Sequence, residues 1–341
     1  MRLELKEVMA VLAFLLIFFA PAFFGVEDIS LPERRPRGEV LFSGDIMLGR
    51  NVEVLMKRFG SDYPFEKIQA VLSRAVGVVG NLEGPIPEVH VPTPSGSTRF
   101  SFASSTVGPL ERNNFSVLSL GNNHTLDYGD RAHERTVSLL SDRGIASVGH
   151  AVAIDSRSYV RRAIGGMPFV FFSFNATYPV FSADEATGLV AKESDPHTFS
   201  VVLMHWGEEY SLRASEKERA LARSFIDQGA DLIIGHHPHV VQGIDMYKDR
   251  PIFHSLGNFI FDQYFSQDVE EGLLVRLRAR GTSGLSYELM PLQSIRSQPM
   301  LMTEPERSAF LSKLAERSNQ SIRQFIVKGI LTVPSPLVGR E

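Results

Sequence analysis

Side chains that bind divalent metals recur along this chain at the ends of apolar runs, and the densest group is Gly235-His236-His237-Pro238-His239. The others are Ser43-Gly44-Asp45, Gly80-Asn81-Leu82-Glu83, Gly121-Asn122-Asn123-His124, His205-Trp206-Gly207 and Ser255-Leu256-Gly257-Asn258. Oxygen and imidazole donors of these kinds suit a hydrolytic site built on one or two divalent cations of the Mn, Zn or Fe type. Cys is absent, so a disulfide framework, a thiolate metal site and a Cys nucleophile are all excluded. No Gly-x-Ser-x-Gly elbow and no Walker-type phosphate loop occurs either.

Within the densest group, His237 and His239 flank a proline. On an extended segment, alternation sends both imidazoles to one side and His236 to the other. Asp45 taken alone is equally a helix cap or a ligand. Trp206, the single Trp, is expected to pack or to line the cleft. Asp195-Pro196-His197 imitates a ligand motif but precedes its strand, which places it at the wrong edge of a sheet. His254, inside a strand, is expected in the core or behind a ligand, while Asn258 and Asp262 border the cleft.

The elements that position these groups follow from their flanks. Runs such as Val117-Leu118-Ser119-Leu120, Val201-Val202-Leu203-Met204 and Leu232-Ile233-Ile234 have the continuous apolar character of buried strands. Helical spacing marks Phe65 to Ala75. Further helices are expected from Arg131 to Arg143, stopped by Gly144, and from Ser215 to Gln228, followed by Gly229. Helices alternating with strands define an α/β class, in which ligands bind beyond the carboxyl ends of the strands. The Pro-, Ser-, Thr- and Gly-rich stretch from Pro87 to Ser105 is expected as a loop near the site. Residues 272–278 and 286–290 predict a hairpin, and Thr303-Glu304-Pro305-Glu306 starts a helix running to Arg317.

With 341 residues, 43% of them hydrophobic and 22% charged, the chain is ordinary globular material. A formal charge of −4 supplies no basic field for nucleic acid, which is excluded as a partner. Val8 to Val26 carries no charge and is close to the ~20 residues that span a bilayer. It is expected to be a membrane anchor, or a signal peptide cleaved near Ala20-Pro21-Ala22, which would leave a secreted protein. The domain order expected is an anchor over 1–28, a linker over 29–38, the main domain over 39–295, and a C-terminal helix and tail over 296–341.

Six motifs in order resemble the CapA family, bacterial poly-gamma-glutamate capsule synthesis proteins related to the calcineurin-like metallophosphoesterases. They are Gly44-Asp45-Ile46-Met47-Leu48, Gly80-Asn81-Leu82-Glu83, Asn122-Asn123-His124 with Leu126-Asp127-Tyr128-Gly129, His205-Trp206-Gly207-Glu208, His237-Pro238-His239-Val240 and Leu256-Gly257-Asn258-Phe259. The resemblance implies an α/β, metallophosphoesterase-like two-sheet β-sandwich flanked by helices, with an N-terminal membrane helix. It also implies an extracytoplasmic protein that makes, exports or trims a surface polymer such as poly-gamma-glutamate, beside other capsule synthesis proteins. A non-catalytic scaffold and a general metallophosphoesterase are the alternatives.

Carried onto this chain, the resemblance makes Asp45, Asn123, His205, His237 and His239 metal ligands, and His124 the acid acting on the leaving group. Asp127 either orients His124 or begins a helix. Two positions depart from the phosphoesterase pattern. Met47 stands where Asp-x-His has its His, and Asn81 where Gly-Asp has its bridging carboxylate. Glu83, two residues on, is expected to compensate as a ligand, so that either one metal is held tightly and a second weakly, or the site has altered chemistry altogether. Asn81, Trp206, Glu208 and Asn258 are expected to contact substrate.

Overall fold

Alternation along the first strand divides the core in two. Val40 and Phe42 face one apolar cluster and Leu41 the other, as the period of two in a strand requires when both faces of a sheet are covered. The computed structural model describes residues 38–280 and 284–336. The expected anchor, and the linker up to residue 37, lie outside the described residues. Among those described, no helix is long and apolar enough to cross a membrane.

In chain order the strands are β1 (Val40–Ile46), β2 (Gly77–Leu82), β3 (Phe115–Ser119), β4 (Ala146–Val148), β5 (Tyr159–Ile164), β6 (Met167–Asn175), β7 (Phe199–His205), β8 (Leu232–His236), β9 (Ile244–Tyr247), β10 (Arg250–Phe253), β11 (Asn258–Ile260), β12 (Glu271–Arg280), β13 (Gly284–Ile295), β14 (Gln298–Leu301) and β15 (Ile330–Pro334). One sheet has the order β14-β13-β12-β1-β2-β3-β4, with β11 also on β1 and β15 also on β13. The second sheet has the order β5-β6-β7-β8-β10-β9. In the first, β1, β2, β3 and β4 run parallel; in the second, β6, β7, β8 and β10 do.

The two sheets pack face to face. Phe42, Val79 and Val117 of the first share a cluster with Phe169, Val201 and Ile234 of the second. Helices cover the outer faces. Helix α1 (Arg50–Phe59) and α2 (Asp130–Ser141) contribute Val52, Met56 and Leu140 to the cluster outside the first sheet. Helices α3 (Ala183–Glu193) and α4 (Glu216–Asp227) place Ala186, Val190, Ala222 and Phe225 outside the second. This is the two-sheet α/β arrangement with flanking helices that the resemblance implied.

Local signals explain most boundaries. Ser215 and Glu218 cap α4 reciprocally, and Gly229 just beyond it takes φ +106°. Thr303 and Glu306 cap α5 (Glu304–Arg317) in the same way. Helix α2 ends at Ser141, with Gly144 at φ +70°. The helix expected over Phe65 to Ala75 is corrected. A 3-10 turn at Tyr63–Phe65 is followed by a short helix at Gln69–Leu72. Bonds such as Ile68 N–H to the Phe65 carbonyl (3.0 Å) and Val71 N–H to the Ile68 carbonyl (2.9 Å) close tighter turns there, and Phe65, Ile68 and Leu72 all remain buried. The C-terminal segment is more than a helix and tail, because β15 and β14 pair end to end along β13, with its residues 284–288 and 292–295 respectively.

Candidate functional site

The parallel strands of both sheets end at one edge, and the donors gather there. Asp45 lies opposite Asn81 in the β1–β2 register and opposite Asn258 in the β1–β11 register, while His205 lies opposite His236 in the β7–β8 register. Gly44 permits this convergence, since a Cβ on it would lie 1.9 Å from the Gly257 carbonyl oxygen. Asp195 and His197 sit before β7, at its other end, and Asp195 is engaged there with Arg161.

Two groups of side chains each bring one donor atom apiece within 4.8 Å of one another: Asp45, Glu83 and His205, all buried, and Glu209, His237 and His239. The groups touch. His239 lies between the carboxylates, with Nδ1 3.3 Å from Asp45 Oδ2 and Nε2 3.6 Å from Glu83 Oε1. His239 Nδ1 also donates to Asn258 Oδ1 (3.0 Å), which fixes the ring and leaves Nε2 for the cleft. His205 Nε2 donates to Asn123 Oδ1 (2.8 Å), and its ring centroid is 4.7 Å from that of His237.

The side-by-side placement of His237 and His239 arises differently from expectation. Neither is extended, because φ is +94° and +58°, so a left-handed turn rather than strand alternation aims the rings. Conformations of this kind are costly for residues with a Cβ and cluster at functional sites. His236 turns away, and its Nε2 donates to the Ser43 carbonyl (3.2 Å), stitching β8 to β1. Met47 is buried in the cluster outside the first sheet, where its sulfur accepts from the Gly49 N–H.

The electrostatics are those of a site short of positive charge. Burial, reinforced by Asp45 and Glu209, raises the Glu83 carboxyl well above its ordinary value despite His239 nearby. Burial opposes charge on His239 too, yet the Glu83 and Asp45 carboxylates raise it to about 9. Burial and neighbouring imidazoles lower His205 well below its ordinary value and His237 to about 4. Glu83 Oε1 and His237 Nδ1 are buried without a hydrogen-bond partner. Orphaned donor atoms beside carboxylates and neutral imidazoles fit a divalent cation.

Beside this cluster stands a hydrogen-bonded His–Asp pair. His124 Nδ1 is 2.9 Å from Asp127 Oδ2, which also accepts from the Phe100 N–H (2.7 Å). Helix α2 begins three residues later, at Asp130, so Asp127 is engaged with His124 and not with the helix start. Phe100 stacks on the His124 ring at 3.9 Å, and Nε2 points toward Glu83 Oε1, 3.9 Å away. Trp206 is buried, and its N–H donates to the His254 carbonyl (2.8 Å). His254 is buried against Asp245 (3.0 Å). Glu208 is exposed and lines a cavity of about 550 Å³ with Gly207, Arg213 and Lys217.

Sequence reasoning missed Glu209 as a donor beside the imidazoles and named only its neighbour Glu208, for substrate contact; in an irregular loop no periodicity says which carboxylate faces inward. It also missed Arg50, at φ +48°, whose guanidinium pairs with Asp262 and lies 4.9 Å from the centroid of the Phe100 ring.

Fold and site together define an α/β two-sheet sandwich with a His and carboxylate donor cluster at the shared strand edge. Residues 39–263 match the family described as "Bacterial capsule synthesis protein PGA_cap", and the chain belongs to that family. It is 32% identical over 282 residues to "Capsule biosynthesis protein CapA" of Bacillus anthracis, covering 76% of this chain and 68% of that protein. It is 28% identical over 305 residues to "PGA biosynthesis protein CapA" of Bacillus subtilis (strain 168), covering 82% and 78%. Among solved structures, a hypothetical protein from Thermus thermophilus aligns with a TM-score of 0.47 at 17% identity, covering 77% of this chain and 96% of that one.

Proposed function

We propose that this chain is a metal-dependent hydrolase acting on an anionic capsule polymer of the poly-gamma-glutamate type, in its synthesis, export or trimming, together with other capsule synthesis proteins. The relatives' names support the polymer class. The uncharged sequence from Val8 to Val26 supports an anchor that holds the domain outside the cytoplasm. The observation carrying the hydrolase reading is the pair of orphaned buried atoms, Glu83 Oε1 and His237 Nδ1, inside a ring of carboxylates and imidazoles.

Asp45, Glu83, Asn123, His205, Glu209, His237 and His239 are the residues that would hold one or two divalent cations. When bound, such a cation supplies a Lewis acid that polarises the scissile group and lowers the pKa of water. The chain's own contribution is positional. Asn258 fixes the His239 ring, Asn123 fixes His205, and Asp127 holds His124 with Nε2 facing the donors. From there His124 hands a proton to the leaving group, while Phe100 shields one face of its ring from water.

The test is elemental mass spectrometry on the full chain purified without chelator, together with an assay for fragments released from poly-gamma-glutamate. Bound transition metal is expected, with turnover lost in His124→Gln while the metal remains. Absence of metal after reconstitution with manganese, zinc or iron would sink the reading. A non-catalytic scaffold would then take its place, a role favoured by the Asn81 amide standing among the carboxylates.

A further inference from the structure

Asn81 places its amide nitrogen within the buried donor group. Nδ2 lies 2.8 Å from Asp45 Oδ1, 3.3 Å from Glu83 Oε2 and 3.4 Å from His205 Nδ1. Which end of an amide is nitrogen is fixed by its partners, and here they run back to the main chain. Asn122 Oδ1 accepts from the His124 backbone N–H (3.1 Å), and Asn122 Nδ2 donates to the Leu82 carbonyl (2.9 Å). Asn122 therefore has only its other N–H for Asn81, and it donates this to Asn81 Oδ1 (3.0 Å). Turning Asn81 alone would set two NH2 groups against each other. Turning both would set an NH2 group against the His124 N–H and leave the Leu82 carbonyl without its donor.

The chain of donation continues outward. His205 gives its Nε2 hydrogen to Asn123 Oδ1, so its Nδ1 lone pair is free to receive Asn81. Asp45, Glu83 and His205 thus all face one NH2 group that cannot turn round, its two hydrogens shared among the three acceptors. The other group differs. His237 Nδ1 has no partner, His239 presents Nε2 because Asn258 holds Nδ1, and Glu209 is exposed.

We infer that the site takes a single divalent cation, at Glu209, His237 and His239, and that Asn81, anchored by Asn122, occupies with its NH2 group the place a second cation would need among Asp45, Glu83 and His205. This rests on the metal-dependent reading above. It assigns Asn81 to ion stoichiometry instead of substrate contact, and makes Glu209 a ligand.

Isothermal titration of the chelator-stripped full chain with Mn²⁺, checked by elemental mass spectrometry, decides the matter. The wild-type chain is expected to bind one ion. Asn81→Asp replaces the donor by a carboxylate and is expected to bind two, with a thermal midpoint that Mn²⁺ raises more than it raises the wild type's. Two ions in the wild type, or one in a folded Asn81→Asp, would overturn the inference while leaving the metal-dependent reading intact. No ion in the wild type would overturn both. Should Asn81→Asp not fold, Glu209→Gln decides in its place, since this side chain is exposed. A single-ion protein loses affinity by at least about tenfold, whereas a two-ion protein keeps one ion at undiminished affinity, which would refute the inference.

Discussion

At the scale of residues, the His124–Asp127 pair has, under the proposed function, a part in chemistry and none in metal retention. The Asp127 carboxylate accepts from both His124 Nδ1 and the Phe100 N–H, so it fixes a tautomer as well as a position. Asp127→Asn can keep one oxygen as acceptor for both the Phe100 N–H and Nδ1, but it removes the carboxylate charge beside the ring. Turnover is expected to fall by about a hundredfold or more with metal content unchanged; equal turnover would remove Asp127 from proton transfer. At this scale the sequence was informative where a residue type alone decides, as for His237, His239 and His124. It was silent where orientation decides. That Asn81 donates instead of ligating depends on Asn122 and on two backbone groups, which no motif encodes. That Glu209 and not Glu208 faces the imidazoles depends on the path of a loop after Gly207 at φ +88°.

Among elements, convergence of strand ends is the feature most open to disruption. Gly44 lets β1 approach Gly257 so closely that any side chain there must push β11 away, and Asn258 with it. Gly44→Ala is expected to destabilise the fold by about 3 kcal/mol or more and to weaken metal binding as His239 loses its Asn258 partner. A denaturation midpoint within error of the wild type's would show that the strands can yield. Strands, the capped helices and the hairpin were legible because period, caps and turn residues are local signals. Sheet order was not, since β15 reaches β13 from more than forty residues away and nothing in its own five residues names that neighbour. The segment after Phe65 misled because helical spacing also satisfies a sequence of tight turns that bury the same side chains.

For the molecule as a whole, stability against pH is set partly away from the site. His133 and His150 pack edge to face at 4.9 Å. Burial, then their mutual or Arg157 charge, lowers both below the ordinary 6.5. The unfolded chain therefore binds more protons than the folded one in this range. The stability concerned is complete above about 6.5 and is lost as the pH falls below it. The thermal midpoint is expected to drop between pH 7.5 and 5.5, with a shallower drop in His133→Asn. Parallel pH profiles for the two proteins would exclude the pair as the cause.

The donor cluster draws Asp45, Glu83 and Asn123 from strands of one sheet or the turns after them, and His205, His237 and His239 likewise from the other, with His236 tied across to Ser43. The inferred ligands Glu209, His237 and His239 all follow strands of the second sheet, but Asn258, which holds the His239 ring, lies on β11 of the first. A growing chain could therefore not set that ring until residue 258 had been made and both halves had docked. An ion held firmly there reports finished assembly, and a half-made chain is guarded against the wrong cargo.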